Sequence, residues 1–171
     1  MEMECLITLE DIRKRVKELG VQISQDYRGK EPLMIGILNG VVFFFSDLIL
    51  SLDIPVKIDF IRAASYGASM ESSGDIKITK DVELPVSGQD IILVEDIIDT
   101  GLTLKVIEDR LRQRGASSVR ICVLIDKGER RKEQIYIDYC GFKIDEGFLV
   151  GYGLDFNERY RYLPGIFKLK T

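Results

Sequence analysis

Residues 91–104 read IILVEDIIDTGLTL and carry the strongest structural signal in this chain. Ile91–Val94 are four apolar residues with high strand propensity, and two acids, Glu95 and Asp96, follow them directly. Asp99-Thr100-Gly101 is typical of a turn, and the residues after it suit a helix start. The run therefore predicts a buried strand that ends in acid, a tight turn and a helix N-terminus.

The predicted helix N-terminus is suited to holding a phosphate group. Free backbone N–H groups and the helix dipole both favour an anion there. Gly101 lets the backbone approach a ligand closely, and Thr100 and Thr103 supply hydroxyl donors. Asp, Thr and Gly are also common N-cap residues, so the segment can cap the helix, bind phosphate, or do both.

Glu95 and Asp96 would repel each other when both are ionised. A bound cation, or contact with sugar hydroxyls, would offset that repulsion, whereas carboxylates at a strand end can also be ordinary loop residues. Phosphate-binding and acidic groups at one strand end together indicate a phosphorylated sugar as the ligand.

Strand and helix patterns alternate on both sides of this run. An amphipathic helix is predicted from Leu9 to Ile23, a buried strand at Leu33–Leu38 and a helix at Val41–Leu52. A helix from about Leu102 to Arg114 precedes a strand at Val119–Ile125. This alternation is typical of βαβ units and predicts an α/β fold with a mainly parallel sheet flanked by helices.

Shorter strand signals complete the pattern. Alternation at Val56–Phe60 and at Ile76–Thr79 predicts strands on either side of a polar loop, Ser65–Gly74. Further strands are predicted at Ile135–Tyr139 and Phe148–Val150. In open parallel sheets, ligands bind beyond the carboxyl ends of the strands, so we expect the site at such an edge.

Composition limits the chemistry. The chain has 171 residues, which suits one domain, and its formal net charge of −4 argues against a nucleic-acid partner. It contains no histidine, which excludes catalysis by Ser-His-Asp or Cys-His groups and any His-ligated metal. A metal would be bound by oxygen ligands, and Mg²⁺ is favoured where phosphate takes part.

The expected location is the cytoplasm. Three widely spaced cysteines, Cys5, Cys122 and Cys140, suit a reducing compartment, with Cys122 in the core. The first residues show no secretory signal. Leu33–Leu52 is long enough to span a bilayer, but Asp47 would cost about 2.5–3.5 kcal/mol there, so a core strand and a helix are favoured and no membrane association is expected.

Together these motifs resemble those of the type I phosphoribosyltransferases. The order strand-Glu-Asp-apolar-apolar-Asp-Thr-Gly-x-Thr is similar to their binding motif for phosphoribosyl pyrophosphate (PRPP). Leu33 to Arg161 resembles the hypoxanthine-guanine branch. Gly36–Gly40 is similar to the pyrophosphate loop, Arg62–Gly67 to the start of the mobile lid, and Leu124–Lys127 and Phe148–Asp155 to the purine-binding segments.

The resemblance implies roles in binding PRPP. Glu95 and Asp96 would hold the ribose hydroxyls through Mg²⁺, and Asp99 would be the general acid or base at purine N7. The 5′-phosphate would be bound by Thr100, Gly101, Leu102 and Thr103. Pyrophosphate would be contacted by Asn39, Gly40 and Arg161, and the lid would include Ser65 and Tyr66.

It also implies roles toward the purine. Lys127 would bind O6, Phe148 would stack on the ring, and the Leu149 backbone would meet the N1/N2 edge. Asp155 would ligate a second Mg²⁺. On residue type alone, Lys127 could be an exposed loop lysine and Phe148 a core residue; the shared order of the segments favours the functional roles.

Two positions depart from the family pattern. Relatives often have lysine where this chain has Asn39, and a basic residue where it has Leu102. Since the pyrophosphate loop acts mainly through its backbone, we expect Asn39 to tune affinity. Leu102 removes one positive charge that could assist phosphate binding.

The implied activity is purine salvage, in which PRPP and hypoxanthine or guanine give IMP or GMP and pyrophosphate. Alternatives are a transferase for xanthine or another base and a regulatory RNA-binding protein of the same fold. The resemblance implies a single domain over residues 1–171, with a lid at about 65–80 and a hood from about 1–20 and 140–171. The apolar segment Val41–Leu50 suggests subunit contact, and relatives form homodimers or homotetramers.

Overall fold

A computed structural model of the chain describes residues 2–65 and 76–170, with the backbone alone for Ser65. The helices are α1 (Leu9–Asp26), α2 (Val42–Leu50) and α3 (Leu102–Gln113). The strands are β1 (Met3–Thr8), β2 (Leu33–Leu38), β3 (Lys57–Ser65), β4 (Ile76–Lys80), β5 (Asp90–Ile98), β6 (Ser118–Asp126), β7 (Tyr139–Lys143), β8 (Phe148–Val150) and β9 (Gly165–Leu169).

The larger of two sheets has the strand order β4-β3-β2-β5-β6-β7. All its pairs are parallel except β3 with β4, which run antiparallel. Along the chain, β3 pairs with one side of β2, and β4 pairs with β3 at the edge of the sheet. The next strand, β5, pairs with the other side of β2. The order therefore reverses between β2 and β5, and in open α/β sheets this reversal is where ligands bind.

Alternation along the central strands divides the core into two layers. Met34, Ile92 and Cys122 face α1 and α2, whereas Ile35 and Leu93 face the layer that contains α3. Each of these five residues is buried, so the strands carry apolar side chains on both faces, as covered parallel strands do.

The smaller sheet, which we call the hood, joins the two ends of the chain. Its order is β1-β9-β8, and both pairs are antiparallel. Ile166 of β9 lies in the same buried cluster as Met34 of β2, so the hood rests on the larger sheet. The predicted hood ranges, about 1–20 and 140–171, also include most of α1 and of β7. However, α1 packs against α2, and β7 is an edge strand of the larger sheet.

The predicted fold class is confirmed: the molecule is α/β with a mainly parallel sheet, flanking helices and a hood from the chain ends. The helices predicted from Leu9, Val41 and Leu102 are present within a few residues. Thr8 caps α1, since its Oγ1 accepts a hydrogen bond from the Asp11 N–H at 3.2 Å. The apolar segment Leu33–Leu52 forms β2 and α2, as favoured over a membrane span. Among the described residues, no helix is both long and apolar enough to cross a bilayer.

Two strand predictions need correction. The strand predicted at Ile135–Tyr139 is wrong, because the strand is Tyr139–Lys143 and residues 135–138 are irregular. Ile135 and Ile137 instead pack against the α3-side core, which irregular backbone can do as well as a strand. The strand predicted at Ile91–Val94 continues to Ile98, because Ile97 and Ile98 pair with β6.

Candidate active site

A cleft of about 270 Å³ lies where the sheet order reverses. Its lining follows the chain from Glu95 to Leu104, through the end of β5 and into α3. Leu38 and Gly40, at the end of β2, and Ala63 of β3 complete one side. The fold thus brings the predicted PRPP residues of β5 and α3 together with three residues of the predicted pyrophosphate loop, Ile37, Leu38 and Gly40.

The start of α3 forms a turn whose geometry suits the binding of an anion. Gly101 precedes the helix with φ of 85°, a left-handed conformation that suits glycine. The Leu102 N–H donates to Thr100 Oγ1 at 3.3 Å, and Thr103 lies half-buried in the cleft. The first turn of α3 has no acidic residue of its own, and the partial positive charge of a helix N-terminus favours an anion there.

Glu95 and Asp96 lie within β5, before its end. The Asp96 N–H donates to Glu95 Oε1 at 3.0 Å, and the Ile97 N–H donates to Asp96 Oδ1 at 2.9 Å. Burial raises the pKa of Glu95 well above its usual range, and the neighbouring Asp96 carboxylate raises it further. The ionised pair is therefore unfavourable by itself, which favours a bound cation.

Asp99 is the first residue beyond β5 and lines the cleft. Its Oδ1 is buried and, among the described residues, has no hydrogen-bond partner. Its Oδ2 lies 3.6 Å from Arg130 Nη1. A buried acceptor without a donor costs about 1–3 kcal/mol, so a donor supplied by a bound ligand would satisfy this carboxylate.

The loop after β2 fits tightly against two neighbours. A Cβ atom at Gly40 would lie 2.0 Å from Asp96 Oδ2, and a Cβ at Gly153 would lie 2.0 Å from the Gly40 carbonyl oxygen. Asn39 is exposed, and its carbonyl accepts a hydrogen bond from the Val42 N–H at 3.2 Å. The loop thus depends on glycine both at Gly40 and at its contact, Gly153.

Arg161 and Asp155 lie beside this loop without lining the cleft. Arg161 Nη1 donates to the Gly153 carbonyl at 2.6 Å, and its Nη2 lies 3.5 Å from Asp155 Oδ1. Asp155 Oδ2 also accepts a hydrogen bond from the Glu158 N–H at 2.9 Å. Gly153 therefore connects the Arg161–Asp155 pair to Gly40.

The predicted purine residues lie outside the cleft lining. The Lys127 N–H donates to the Ile98 carbonyl at 3.0 Å, which places Lys127 beside Asp99. Phe148 begins β8 with 46% of its surface exposed, and its ring meets that of Phe156 edge-on at 5.3 Å. The following residue, Leu149, is buried.

The remaining predicted positions are the two lid residues. Ser65 is the last residue of β3, and nothing is described of its side chain. Tyr66 and the polar loop lie outside the described residues, whereas residues 76–80 of the predicted lid form β4. The lid stays a prediction.

Sequence reasoning missed two residues that shape the site. Gly153 contacts Gly40, and a glycine between Tyr152 and Leu154 was a detectable sign of close backbone approach. Arg131 Nε donates to the Asp99 carbonyl at 2.9 Å. Arg131 belongs to a run of charged residues, and nothing in that run distinguishes it from its exposed neighbours.

Comparison with known proteins gives consistent matches. The phosphoribosyl transferase domain family matches residues 7–157. The hypoxanthine-guanine phosphoribosyltransferase of Bacillus subtilis is 47% identical over 165 residues, 96% of this chain and 92% of that protein. The Aquifex aeolicus protein of the same name is 42% identical over 99% of this chain and 96% of its own. A crystal structure of a Staphylococcus aureus hypoxanthine phosphoribosyltransferase superposes with a TM-score of 0.94 at 46% identity, covering 98% of this chain and 91% of that one.

Proposed function

This chain belongs to the phosphoribosyl transferase family, and we propose that it transfers the 5-phosphoribosyl group of PRPP to a 6-oxopurine. The products are the purine nucleoside monophosphate, IMP from hypoxanthine or GMP from guanine, and pyrophosphate. The named relatives, at 42–47% identity over nearly the whole chain, support this substrate class.

One observation carries the proposal. The cleft at the sheet reversal combines a helix N-terminus suited to phosphate, two adjacent acids suited to a cation and a carboxylate whose buried Oδ1 has no partner among the described residues. A phosphorylated ribose with a reacting base beside it offers a complement to each of these features.

Mg²⁺ fits the acidic pair. Among the described residues, no three acidic, cysteine or histidine side chains are grouped so that they could hold a metal. Glu95 and Asp96 would therefore share the ion with substrate oxygens and water, which is how proteins usually bind Mg²⁺. When bound, the ion would neutralise negative charge on the pyrophosphate leaving group. Asp155 is the candidate ligand for a second ion.

The protein's own residues bind the substrate, accept the proton and stabilise the leaving group. Thr100–Thr103 hold the 5′-phosphate through the α3 N-terminus and fix the ribose in the cleft. The C1′–O bond to pyrophosphate breaks as a bond from purine N9 to C1′ forms, and Asp99 accepts the proton released from N7. The Gly40 backbone lines the cleft where the pyrophosphate would depart, and Arg161, which lies beside the loop after β2, supplies positive charge that would stabilise it.

Base selection is assigned to Lys127 and Phe148. A lysine ammonium donates hydrogen bonds and cannot accept them, so it favours the O6 carbonyl of hypoxanthine or guanine over the amino group of adenine. Phe148 is partly exposed, so its ring is available to stack on a purine. Xanthine shares the O6 carbonyl and is the closest alternative substrate.

Oligomeric state and location are further proposals. The exposed α2 residues Val42, Phe43 and Leu50 form an apolar surface that suits contact with a second copy, so we propose a homodimer or homotetramer. Light scattering tests this, and a monomer at micromolar concentration would exclude it. The three cysteines are free, in keeping with a cytoplasmic location.

An activity screen tests the proposed function. Purified protein is incubated with PRPP, Mg²⁺ and, separately, hypoxanthine, guanine, xanthine, adenine or uracil, and pyrophosphate release and nucleotide formation are both measured. We expect nucleotide from hypoxanthine and guanine and none from adenine or uracil. Turnover with uracil alone, or with no base, would refute the proposal.

A further inference from the structure

The loop that follows β6 packs against the turn at Thr100 and Gly101 that precedes α3. We call residues 128–133 the clasp loop. Its backbone N–H groups at Lys132 and Glu133 both donate to the Thr100 carbonyl, at 2.9 and 3.1 Å. Gly101, next along the chain, would place a Cβ only 3.4 Å from the Arg131 side chain. The clasp loop therefore packs directly against the turn assigned to the 5′-phosphate.

Arg131 is the one side chain of this loop that reaches both neighbouring strand ends. Its Nε donates to the Asp99 carbonyl at 2.9 Å, and its Nη2 donates to Asp126 Oδ1 at 2.5 Å. Asp126 is the last residue of β6 and precedes Lys127. Arg131 thus links Asp126, which precedes the proposed purine-binding Lys127, to the backbone of Asp99, the proposed general base.

The ion pair between Arg131 and Asp126 is largely buried and differs from an ordinary surface ion pair. Only 23% of the Arg131 side chain and 20% of the Asp126 side chain are exposed, so the pair is less screened than a surface ion pair. With the Asp99 and Thr100 carbonyls both held by the clasp loop, the peptide planes of the turn are fixed. Fixed peptide planes set the direction of the N–H groups that face the cleft and of the Asp99 side chain.

We infer that Arg131 is a positioning residue for the transfer reaction: it aligns the phosphate-binding turn and Asp99 with the strand end that carries Lys127. The inference rests on the proposed function for its substrates. Arg131 touches neither substrate in this scheme and acts through the Asp99 carbonyl and Asp126. A guanidinium suits the role because its planar donors can reach two acceptors at fixed angles.

Three variants test the inference. Arg131→Met removes both contacts and keeps much of the side-chain volume, whereas Arg131→Lys keeps the charge but reaches one acceptor at a time. Arg114→Met is the matched control: Arg114 also pairs with an aspartate, Asp81, at 3.1 Å, but at the end of α3 away from the cleft. For each variant we would measure kcat, KM for PRPP and for hypoxanthine, the urea unfolding midpoint and PRPP affinity by calorimetry.

We expect Arg131→Met to lower kcat/KM for PRPP by about 10- to 100-fold and to weaken PRPP binding, with its unfolding midpoint close to that of Arg114→Met. Arg131→Lys should recover part of the loss, and Arg114→Met should match the wild type. Kinetic constants and PRPP affinity for Arg131→Met within twofold of wild type would overturn the inference. So would a loss of activity that equals the fraction of unfolded protein.

The two proposals fail separately. A wild-type protein that makes no nucleotide from PRPP and any 6-oxopurine would refute the proposed function. Calorimetry of PRPP binding to wild type and Arg131→Met would still decide whether the clasp loop orders the phosphate site. An active wild type with an unaffected Arg131→Met variant would refute the positioning role alone.

Discussion

Asp99 is the residue on which the proposed chemistry depends most. Asp99→Asn keeps the side-chain shape but gives up proton transfer, so kcat should fall by about 100- to 10,000-fold while PRPP still binds. Steady-state kinetics with PRPP titration by calorimetry would check this. Unchanged turnover in a well-folded Asp99→Asn protein would remove Asp99 from the role of general base.

Gly153 is a second residue whose replacement should be informative. Its φ is 100°, and a Cβ there would meet the Gly40 carbonyl, so Gly153→Ala should displace the loop after β2. We expect a higher KM for PRPP and a loss of stability larger than the roughly 1–2 kcal/mol that a left-handed alanine costs by itself.

Gly88→Ala is the matched control for this prediction. Gly88 has φ of 76°, but apart from Gly88 itself and its two chain neighbours, no atom of the described residues lies within 4 Å of the position that a Cβ would take there. Its replacement carries the backbone cost without the steric contact, and the KM should stay unchanged. Equal effects of the two substitutions on KM and stability would show that the Gly40 contact does not matter.

Some site residues could be predicted from the sequence, and others could not. Glu95, Asp96, Asp99 and Gly101 could be predicted to share a site, because they are close in sequence and a strand followed by a helix fixes their surroundings. Arg131 could not, since its partners lie more than 30 residues upstream or in a neighbouring strand and depend on how the clasp loop packs.

Among the elements, the segment joining β4 to β5 is held by one buried carboxylate of β3. Asp59 Oδ2 accepts hydrogen bonds from the Glu83 and Leu84 N–H groups, each at 2.8 Å, and Oδ1 accepts one from Phe60 N–H at 2.7 Å. Burial alone would raise the pKa of Asp59, but these backbone donors, together with Lys80, outweigh it and lower that pKa below its usual value.

Asp59→Asn should therefore destabilise the fold by about 1–3 kcal/mol at pH 7, because charge-assisted hydrogen bonds are lost. The aspartate's contribution is fully present above its unfolded-state pKa of about 3.9 and is lost as the pH falls through its lower folded-state pKa. Urea unfolding at several pH values would show the difference between wild type and variant to be constant above pH 5 and to shrink in stronger acid. Asp145→Asn, at an exposed site, is the control, and a difference no larger than its own would contradict the prediction.

Helices and strands were predicted correctly where the apolar pattern was strong, and a prediction was wrong where the pattern was weak. The amphipathic spacing in α1 and α3 and the apolar runs of β2 and β6 left little ambiguity. Ile135 and Ile137 alternate like a strand, yet their backbone is irregular, because alternation reports which side chains are buried and not whether a neighbouring strand is in reach.

At the scale of the whole molecule, the hood and the larger sheet share one buried core. Ile166 of β9 is fully buried in the cluster that includes α1, α2 and the central strands. Ile166→Ala should lower the free energy of unfolding by about 2–5 kcal/mol, and a single cooperative transition should remain. Urea unfolding followed by far-UV circular dichroism and by tyrosine fluorescence would check this, and two separate transitions would contradict it.

Which strands form the hood was the part of the architecture that the residues alone did not settle. β1 is mostly exposed and carries no strong pattern, and β8, although predicted as a strand at Phe148–Val150, is too short to indicate its partner. Their common partner, β9, is separated from β1 by nearly the whole chain, and pairing over that distance leaves no local trace. The resemblance to a family supplied the expectation of a hood from both chain ends.

The pairing of β1 with β9 also bears on how the protein is made. Met3 to Thr8 pair with Leu169 to Gly165, so β1 leaves the ribosome long before its partner is synthesised. At about 5–20 residues per second, a nascent chain waits roughly 8–30 s with the β1 edge unpaired. During that interval β2 to β6 can already assemble, and the cleft can take shape before the hood that rests on it.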